Sequence, residues 1–242
     1  MTDPDDQRGR VGLIVPSSNT TAEPEFRAFL PDGIIVHGAR MSLESVTVSA
    51  LDAMSDDAAR AAELLGHADI DAVAYACTTG SLLHGPGFDA ELEGRLREAA
   101  GVPAVATARS VVRALEALEA DRIAVATPYT ADLDERERRF LEAAGVTVAS
   151  IDGRGLAANT AIGALTPTDA ARQVLEVVDG DDLDAVFVSC TNYRSLAAVD
   201  DLESRLGVPV ITSNGATLWD VCGAVGLEDE LDGPGTLFDH ER

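Results

Sequence analysis

A chain of 242 residues with 46% hydrophobic side chains can bury one large α/β domain or two small ones, which excludes a disordered protein. Its 42 acidic residues outnumber 18 basic ones, for a formal charge of −24, and every basic residue is an arginine. The missing lysine excludes Schiff-base, pyridoxal-phosphate and P-loop chemistry, and so acidic a field excludes nucleic acid and anionic membrane as partners.

Short apolar runs bounded by turn residues alternate with stretches of helical period, the pattern of parallel strands covered by helices. In chain order the first strand, Val11 to Val15, ends in Pro16-Ser17-Ser18-Asn19, and a second spans Ile34 to His37. A helix over Ala53 to Leu65 leads to the strand Ala72 to Ala76, which runs into Cys77-Thr78. A helix over Ala90 to Ala100, the strand Ala104 to Ala106 and a helix over Arg109 to Leu118 follow. The strand Ile123 to Ala126 ends in Pro128-Tyr129-Thr130 and precedes a helix over Asp132 to Ala144, the strand Thr147 to Ser150 and a helix over Thr168 to Val178. The strand Ala185 to Ser189 runs into Cys190-Thr191, and a helix over Leu196 to Leu206, the strand Val210 to Ile211 and a helix over Ala216 to Val225 complete the series. Gly101, Gly145 and Gly207 stand where helices end in a left-handed residue.

The order repeats. Cys190 lies 113 positions after Cys77, Pro128 lies 112 after Pro16, and the Gly-Val-Pro of Gly207 lies 106 after that of Gly101. Such near-constant offsets predict an internal duplication, with two Rossmann-like parallel-sheet halves related by a pseudo-two-fold axis. Ligands of open α/β sheets bind outside the carboxyl ends of the strands, so Cys77 and Cys190 are expected to face each other across one cleft.

A thiol at a strand end that opens a helix meets unpaired N–H groups and a partial positive charge, which favour thiolate. Cys77 and Cys190 are both expected to have this setting, and Ser17, Thr78, Thr79, Thr191 and Asn192 supply polar groups suited to a carboxylate. Asn19 reads as a turn or helix cap that also shares the strand edge of Cys77, and Tyr129 holds the equivalent position in the second half. Asn159 stands in a polar loop, and Cys222 follows Trp219 on an apolar helix face as packing. His37, His67, His84 and His240 lack metal-ligand spacing, and Gly153-Arg154-Gly155 lacks the rest of a dinucleotide-binding motif. The acidic runs Asp179 to Asp184 and Glu228 to Asp232 read as solvated faces. Three widely spaced cysteines make no disulfide framework, no apolar stretch reaches the roughly 18 residues of a membrane span, and residues 1–10 do not resemble a signal peptide. A cytoplasmic protein with reduced thiols is expected.

Val11-Gly12-Leu13-Ile14-Val15-Pro16-Ser17-Ser18-Asn19-Thr20 resembles the opening motif of the maleate cis-trans isomerase family, within the aspartate/glutamate racemase superfamily. Cys77-Thr78-Thr79, Cys190-Thr191-Asn192, Tyr129 and Asn159 also match, and the likeness extends from Arg10 to about Leu227. The resemblance implies an enzyme with no metal or organic cofactor, a maleate-like dicarboxylate substrate and a homo-oligomer (dimer or tetramer). It implies Cys77 as nucleophile, Cys190 as acid and base, and Asn19, Tyr129 and Asn159 as carboxylate ligands. It also implies that the C-terminal segment returns to the first half, giving halves 1–107 with 214–242 and 108–213. Amino-acid racemases carry an acidic residue near the first strand and often a His two residues after the second cysteine, where this chain has Pro16-Ser17-Ser18 and Asn192. Arylmalonate decarboxylases are similar too but keep only the second cysteine. A racemase or decarboxylase of a related small acid, and a non-catalytic carboxylate-binding protein, are the rival readings.

The acidic, lysine-free composition is also similar to that of proteins from halophilic microbes, whose self-repulsion is screened by salt. The melting temperature is therefore expected to climb steeply from low to molar KCl in a thermal-shift titration; a flat profile contradicts a salt-adapted protein.

Overall fold

The computed structural model describes residues 8–178, 180, 182–227 and 231–242; the sequence start and parts of both acidic runs (179, 181 and 228–230) lie outside them. All eight expected strands form, and every pairing between them is parallel. In the first half β1 (Gly9–Pro16), β2 (Ile34–Met41), β3 (Ala72–Tyr75) and β4 (Ala104–Ala106) line up as β2-β1-β3-β4. In the second, β5 (Arg122–Thr127), β6 (Thr147–Gly153), β7 (Ala185–Val188) and β8 (Val210–Thr212) line up as β6-β5-β7-β8. The two orders are the same, as a duplication requires. β3 and β7 are buried at every position, which is why they read as unbroken apolar runs.

Between β1 and β5 the chain forms α1 (Ala22–Phe29), α2 (Val48–Gly66), α3 (Thr78–Leu82), α4 (Phe88–Ala100) and α5 (Thr107–Ala117). After β5 it forms α6 (Ala131–Ala143), α7 (Asn159–Gly163), α8 (Pro167–Val177), α9 (Val199–Leu206) and α10 (Ser213–Ala224). Gly101 and Gly207 close α4 and α9 at φ of 74° and 72°, where a side chain would be strained.

Several helices depart from the sequence pattern. α2 starts at Val48 rather than Ala53, because Thr47 caps it by accepting the N–H of Ala50. The expected helix over Leu196 to Leu206 splits into a 3₁₀ turn at Leu196–Ala198 and then α9. α1 carries Pro24 in its first turn, where no N–H is required, so the proline that masks the helix in the sequence does not break it. α3 is five residues of low helical propensity, Thr-Thr-Gly-Ser-Leu, held by tertiary bonds from Thr78 Oγ1 to Ser213 Oγ at 2.8 Å and from the Ala108 N–H to Ser81 Oγ at 2.9 Å.

Two hydrophobic clusters fill the interior, and each draws on both halves, so the sheets share their core. α10 packs on α5 and on β3 and β4 of the first sheet. Among the described residues no helix is long and apolar enough to cross a membrane.

An ionic knot fastens α10. Asp220, fully buried, accepts from Arg113 at 2.6 Å and from Ser110 Oγ at 2.7 Å, and is bonded by Arg242 as well. Arg113 also forks onto both carboxylate oxygens of Glu93, at 2.8 and 2.9 Å, while Glu93 accepts the N–H of Ala106 at 3.0 Å. Removing one partner leaves a buried charge uncompensated. Arg113→Leu is therefore expected to lower unfolding free energy by on the order of 3 kcal/mol in a denaturant titration, far more than Arg139→Leu, whose exposed pair with Glu135 is worth little.

Candidate active site

β3 delivers Cys77 to the junction of the two sheets with the sulfur nearly out of solvent. Cys77 caps α3, and the Gly80 N–H and the Thr79 hydroxyl, 4.0 Å from the sulfur, both favour its thiolate. Burial outweighs them and pushes the thiol up to about 11. The expectation that a helix start would favour thiolate is thus corrected: a five-residue helix offers too small a field to offset removal of water.

Gly80 lets Cys77 and Tyr75 crowd together. A Cβ there would lie 2.5 Å from the Tyr75 hydroxyl and 3.1 Å from the Cys77 sulfur. The Tyr75 hydroxyl is fully buried and has no hydrogen-bond partner.

Cys190 also leaves its strand into the interior, but no helix follows. Residues 191–193 form a turn, which corrects the second expected helix start. The backbone of Cys190 sits at φ 92°, a left-handed conformation costly for any residue with a Cβ, and such strain gathers at functional positions. Tertiary bonds hold it there. Its N–H donates to Ser213 Oγ at 2.9 Å, and Ser213 Oγ also accepts from Thr78 Oγ1 at 2.8 Å, so one hydroxyl ties the two cysteine turns together. The sulfur accepts the N–H of Asn192 at 3.4 Å, and the nearby Tyr129 phenol also favours its thiolate. Burial nevertheless pushes this thiol up to about 12.

Both thiols line one cleft with Pro16, Asn19, Leu43, Val46, Thr78, Thr79, Tyr129, Asn159, Thr191 and Asn192. Its volume of about 10 Å³ has room for roughly one water molecule. Asn19 stands two residues before Thr21, the N-cap of α1, accepts the N–H groups of Thr21 and Ala22 at 2.9 and 3.0 Å, and donates to Thr191 Oγ1 at 3.1 Å. Asn192 braces the halves, accepting the Thr20 N–H at 2.8 Å and donating to the Asn159 carbonyl at 2.7 Å. Asn159 begins α7 rather than lying in a loop, and its amide donates to Ser18 Oγ at 2.8 Å. Ser17 is the sequence-derived site residue that the fold keeps out: it is exposed, and its hydroxyl bonds the backbone of Leu43 at 3.0 and 3.3 Å.

The segment after β2 roofs the cleft. Val46 N–H donates to the Ala157 carbonyl at 2.8 Å, and Ser45 bridges Ala158 antiparallel, so a loop of the first half is pinned to the second. Val46 also lines an outer cavity of about 650 Å³ that includes His84 and Arg136 but neither thiol. Among the described residues no cluster of His, Cys, Asp or Glu is arranged to hold a metal ion. Cys222 is wholly buried in one of the core clusters.

Tyr75, Glu137, Ser189 and Ser213 escaped the sequence reading. Tyr75, Ser189 and Ser213 belong to or flank apolar runs, and Glu137 stands in the charged run Asp134 to Arg139, where nothing local distinguishes it from its solvated neighbours.

Three comparisons bear on this site. The sequence signature of the arylmalonate decarboxylase family matches residues 11–238. A maleate isomerase of Pseudomonas putida is 32% identical over 245 residues, covering 95% of this chain and 96% of its own. Among solved structures, a Cys→Ala variant of the maleate isomerase Iso from Pseudomonas putida S16 with maleate superposes at a TM-score of 0.92, with 30% identity and coverage of 97% of this chain and 99% of that one. A Cys→Ser mutant of Nocardia farcinica maleate cis-trans isomerase, bearing a covalently bound succinylcysteine intermediate, superposes at 0.90 with 28% identity, covering 95% and 98%.

The two buried phenols should respond differently to loss of the hydroxyl. Tyr129→Phe strips a partner from Cys190 and is expected to cost on the order of 1 kcal/mol in chemical denaturation. Tyr75→Phe removes an unpartnered group, so its stability should equal or exceed that of the parent.

Proposed function

Because the chain belongs to the arylmalonate decarboxylase family, we propose that it is an isomerase that converts maleate to fumarate through a covalent succinyl-cysteine on Cys77. The observation that carries this reading is the pair of buried thiols on one cleft, each at the end of an equivalent strand. The names of its relatives support the same reaction.

The two sulfurs divide the work by environment. Cys77 caps α3 and receives the Gly80 N–H and the Thr79 hydroxyl, so the charge of a singly ionised pair is assigned to Cys77 and the proton to Cys190. The Cys77 thiolate attacks one alkene carbon and forms a C–S bond, while the Cys190 S–H gives its proton to the neighbouring carbon. The former double bond is now single and rotates. The Cys190 thiolate then removes a proton from that neighbouring carbon, the electron pair re-forms the double bond, and Cys77 leaves as thiolate. No atom is gained or lost, so the chain's own groups suffice.

Asn19, Asn159, Thr78, Thr79, Thr191, Asn192 and the Cys-Thr backbone N–H groups hold the two carboxylates, while Tyr129 serves the Cys190 sulfur at the edge of the same pocket. The halves that close on the substrate are residues 1–107 with 214–242 and residues 108–213, a division supported by the packing of α10 on β3 and β4. A dianion is tolerated inside so acidic a protein because charge-assisted hydrogen bonds at contact range outweigh distant screened charges. Decarboxylation of a substituted malonate, the reaction in the family's name, needs one thiol to protonate a carbanion. It gives no use to a second sulfur buried beside the first.

The test is a proton NMR time course of maleate with the purified protein in molar KCl. Fumarate should accumulate, and Cys77→Ser and Cys190→Ser should each lower turnover by on the order of 10³-fold with the melting curve retained. Full activity in either variant, or turnover of a substituted malonate in place of maleate, overturns the two-thiol isomerase.

A further inference from the structure

One buried acid in the core is left over by this mechanism. Glu137 of α6 is 1% exposed. Its Oε1 is hydrogen-bonded to Ser189 Oγ at 2.6 Å, and its Oε2 is buried with no partner. The Tyr129 phenol interacts with both Ser189, the residue before Cys190, and the Cys190 sulfur. Glu137, Ser189, Tyr129 and Cys190 are thus neighbours in one series leading from the interior to the cleft. An unpaired carboxyl oxygen in a protein core is a standing liability that an apolar residue would remove.

We infer that Glu137, acting through Ser189 and Tyr129, sets how readily the Cys190 sulfur gives up and regains its proton. This positioning role rests on the isomerase reading, in which Cys190 must alternate between thiol and thiolate. A hydroxyl carries one proton, so Ser189 can donate to Glu137 or to Tyr129 but not to both. With Glu137 protonated, its O–H donates to Ser189, Ser189 donates to Tyr129, and Tyr129 donates to the Cys190 thiolate. Three aligned dipoles then stabilise the sulfur anion that exists only while the succinyl intermediate does. With Glu137 ionised, Ser189 turns its proton away, Tyr129 loses its incoming donor, and a negative charge stands behind the sulfur.

The surroundings keep Glu137 neutral near pH 7. Burial, opposed by the Ser189 bond and reinforced by Asp134, pushes the carboxyl up to about 8. The titratable groups facing it are Tyr129 and Cys190 at the ends of β5 and β7 and Asp134 one turn back on α6; Asp152 of β6 acts in turn on Asp134. All are acids, so none favours ionisation. Folding raises this carboxyl above its ordinary 4.5, so its contribution to stability is complete below about 4.5 and is lost as pH rises through about 8.

Glu137→Gln keeps the donor and the shape but cannot ionise, which makes it the variant of choice. Two readouts separate this inference from the reaction assigned above. In the first, the Cβ NMR shift of isotope-labelled Cys190 is followed against pH without substrate. The parent should show a step near pH 8 from Glu137, absent in Glu137→Gln and in Ser189→Ala. In the second, the ratio of Glu137→Gln to parent maleate turnover, in which the ionisation of Cys77 cancels, should be near one at about pH 6.5 and rise three- to tenfold by about pH 9.5. A parent without the step, or a ratio flat across that range, overturns the inference. A step without any maleate turnover leaves the relay standing and overturns the assigned substrate. Should Glu137→Gln fail to fold, the step must still vanish in Ser189→Ala, which retains the acid but cuts the chain; persistence there overturns the relay.

Discussion

Removing water from two sulfurs is the constraint on which the rest of the structure depends. A thiol at a strand end is easily buried, but its anion is not, and both Cys77 and Cys190 are pushed well above the ordinary thiol range by that burial. Hydrogen-bond donors around them work against this penalty: the Gly80 N–H and Thr79 hydroxyl at one sulfur, the Asn192 N–H and Tyr129 phenol at the other. The roof from Ser45 to Val46 covers a cleft with room for roughly one water molecule, so charge placed there interacts chiefly with fixed dipoles.

Two sheets of the same strand order make the site nearly symmetric, and function depends on where the symmetry breaks. On the first side Cys77 caps a short helix, while on the second Cys190 sits in a strained left-handed turn. The phenol of Tyr129 is engaged with Cys190, whereas the hydroxyl of Tyr75 has no partner. These differences put two equivalent thiols in unequal surroundings, although burial raises both.

Holding such a turn in place falls to α10. Its first residue, Ser213, accepts from both cysteine turns, and Asn214 donates to Thr191 O at 3.0 Å and to Glu25 at 2.5 Å. Two turns further along, Asp220 anchors the helix through Arg113 and Arg242. α10 thus links a buried ionic knot at Asp220 to the two cysteine turns at its N-terminal end.

The parallel architecture, the duplication, the eight strands and the two strand-end cysteines are all legible in the sequence, because burial on both faces and repeated Gly-Val-Pro and Cys-Thr landmarks are local signals. Asn19, Thr78, Thr79, Thr191 and Asn192 could be assigned to the same edge for that reason, and Ser17 was misassigned because a one-residue step along the chain can turn a side chain from cleft to solvent. α7 was invisible and α3 was foreseen only as a helix start after Cys77, since five residues become helical only when neighbours supply the bonds. The acidity of each thiol, the left-handed turn at Cys190, the roof over the cleft and the roles open to Tyr75, Glu137, Ser189 and Ser213 were decided by tertiary structure alone. Each depends on the distance between groups far apart in sequence and on how much water remains between them, and neither quantity is written in the order of residues.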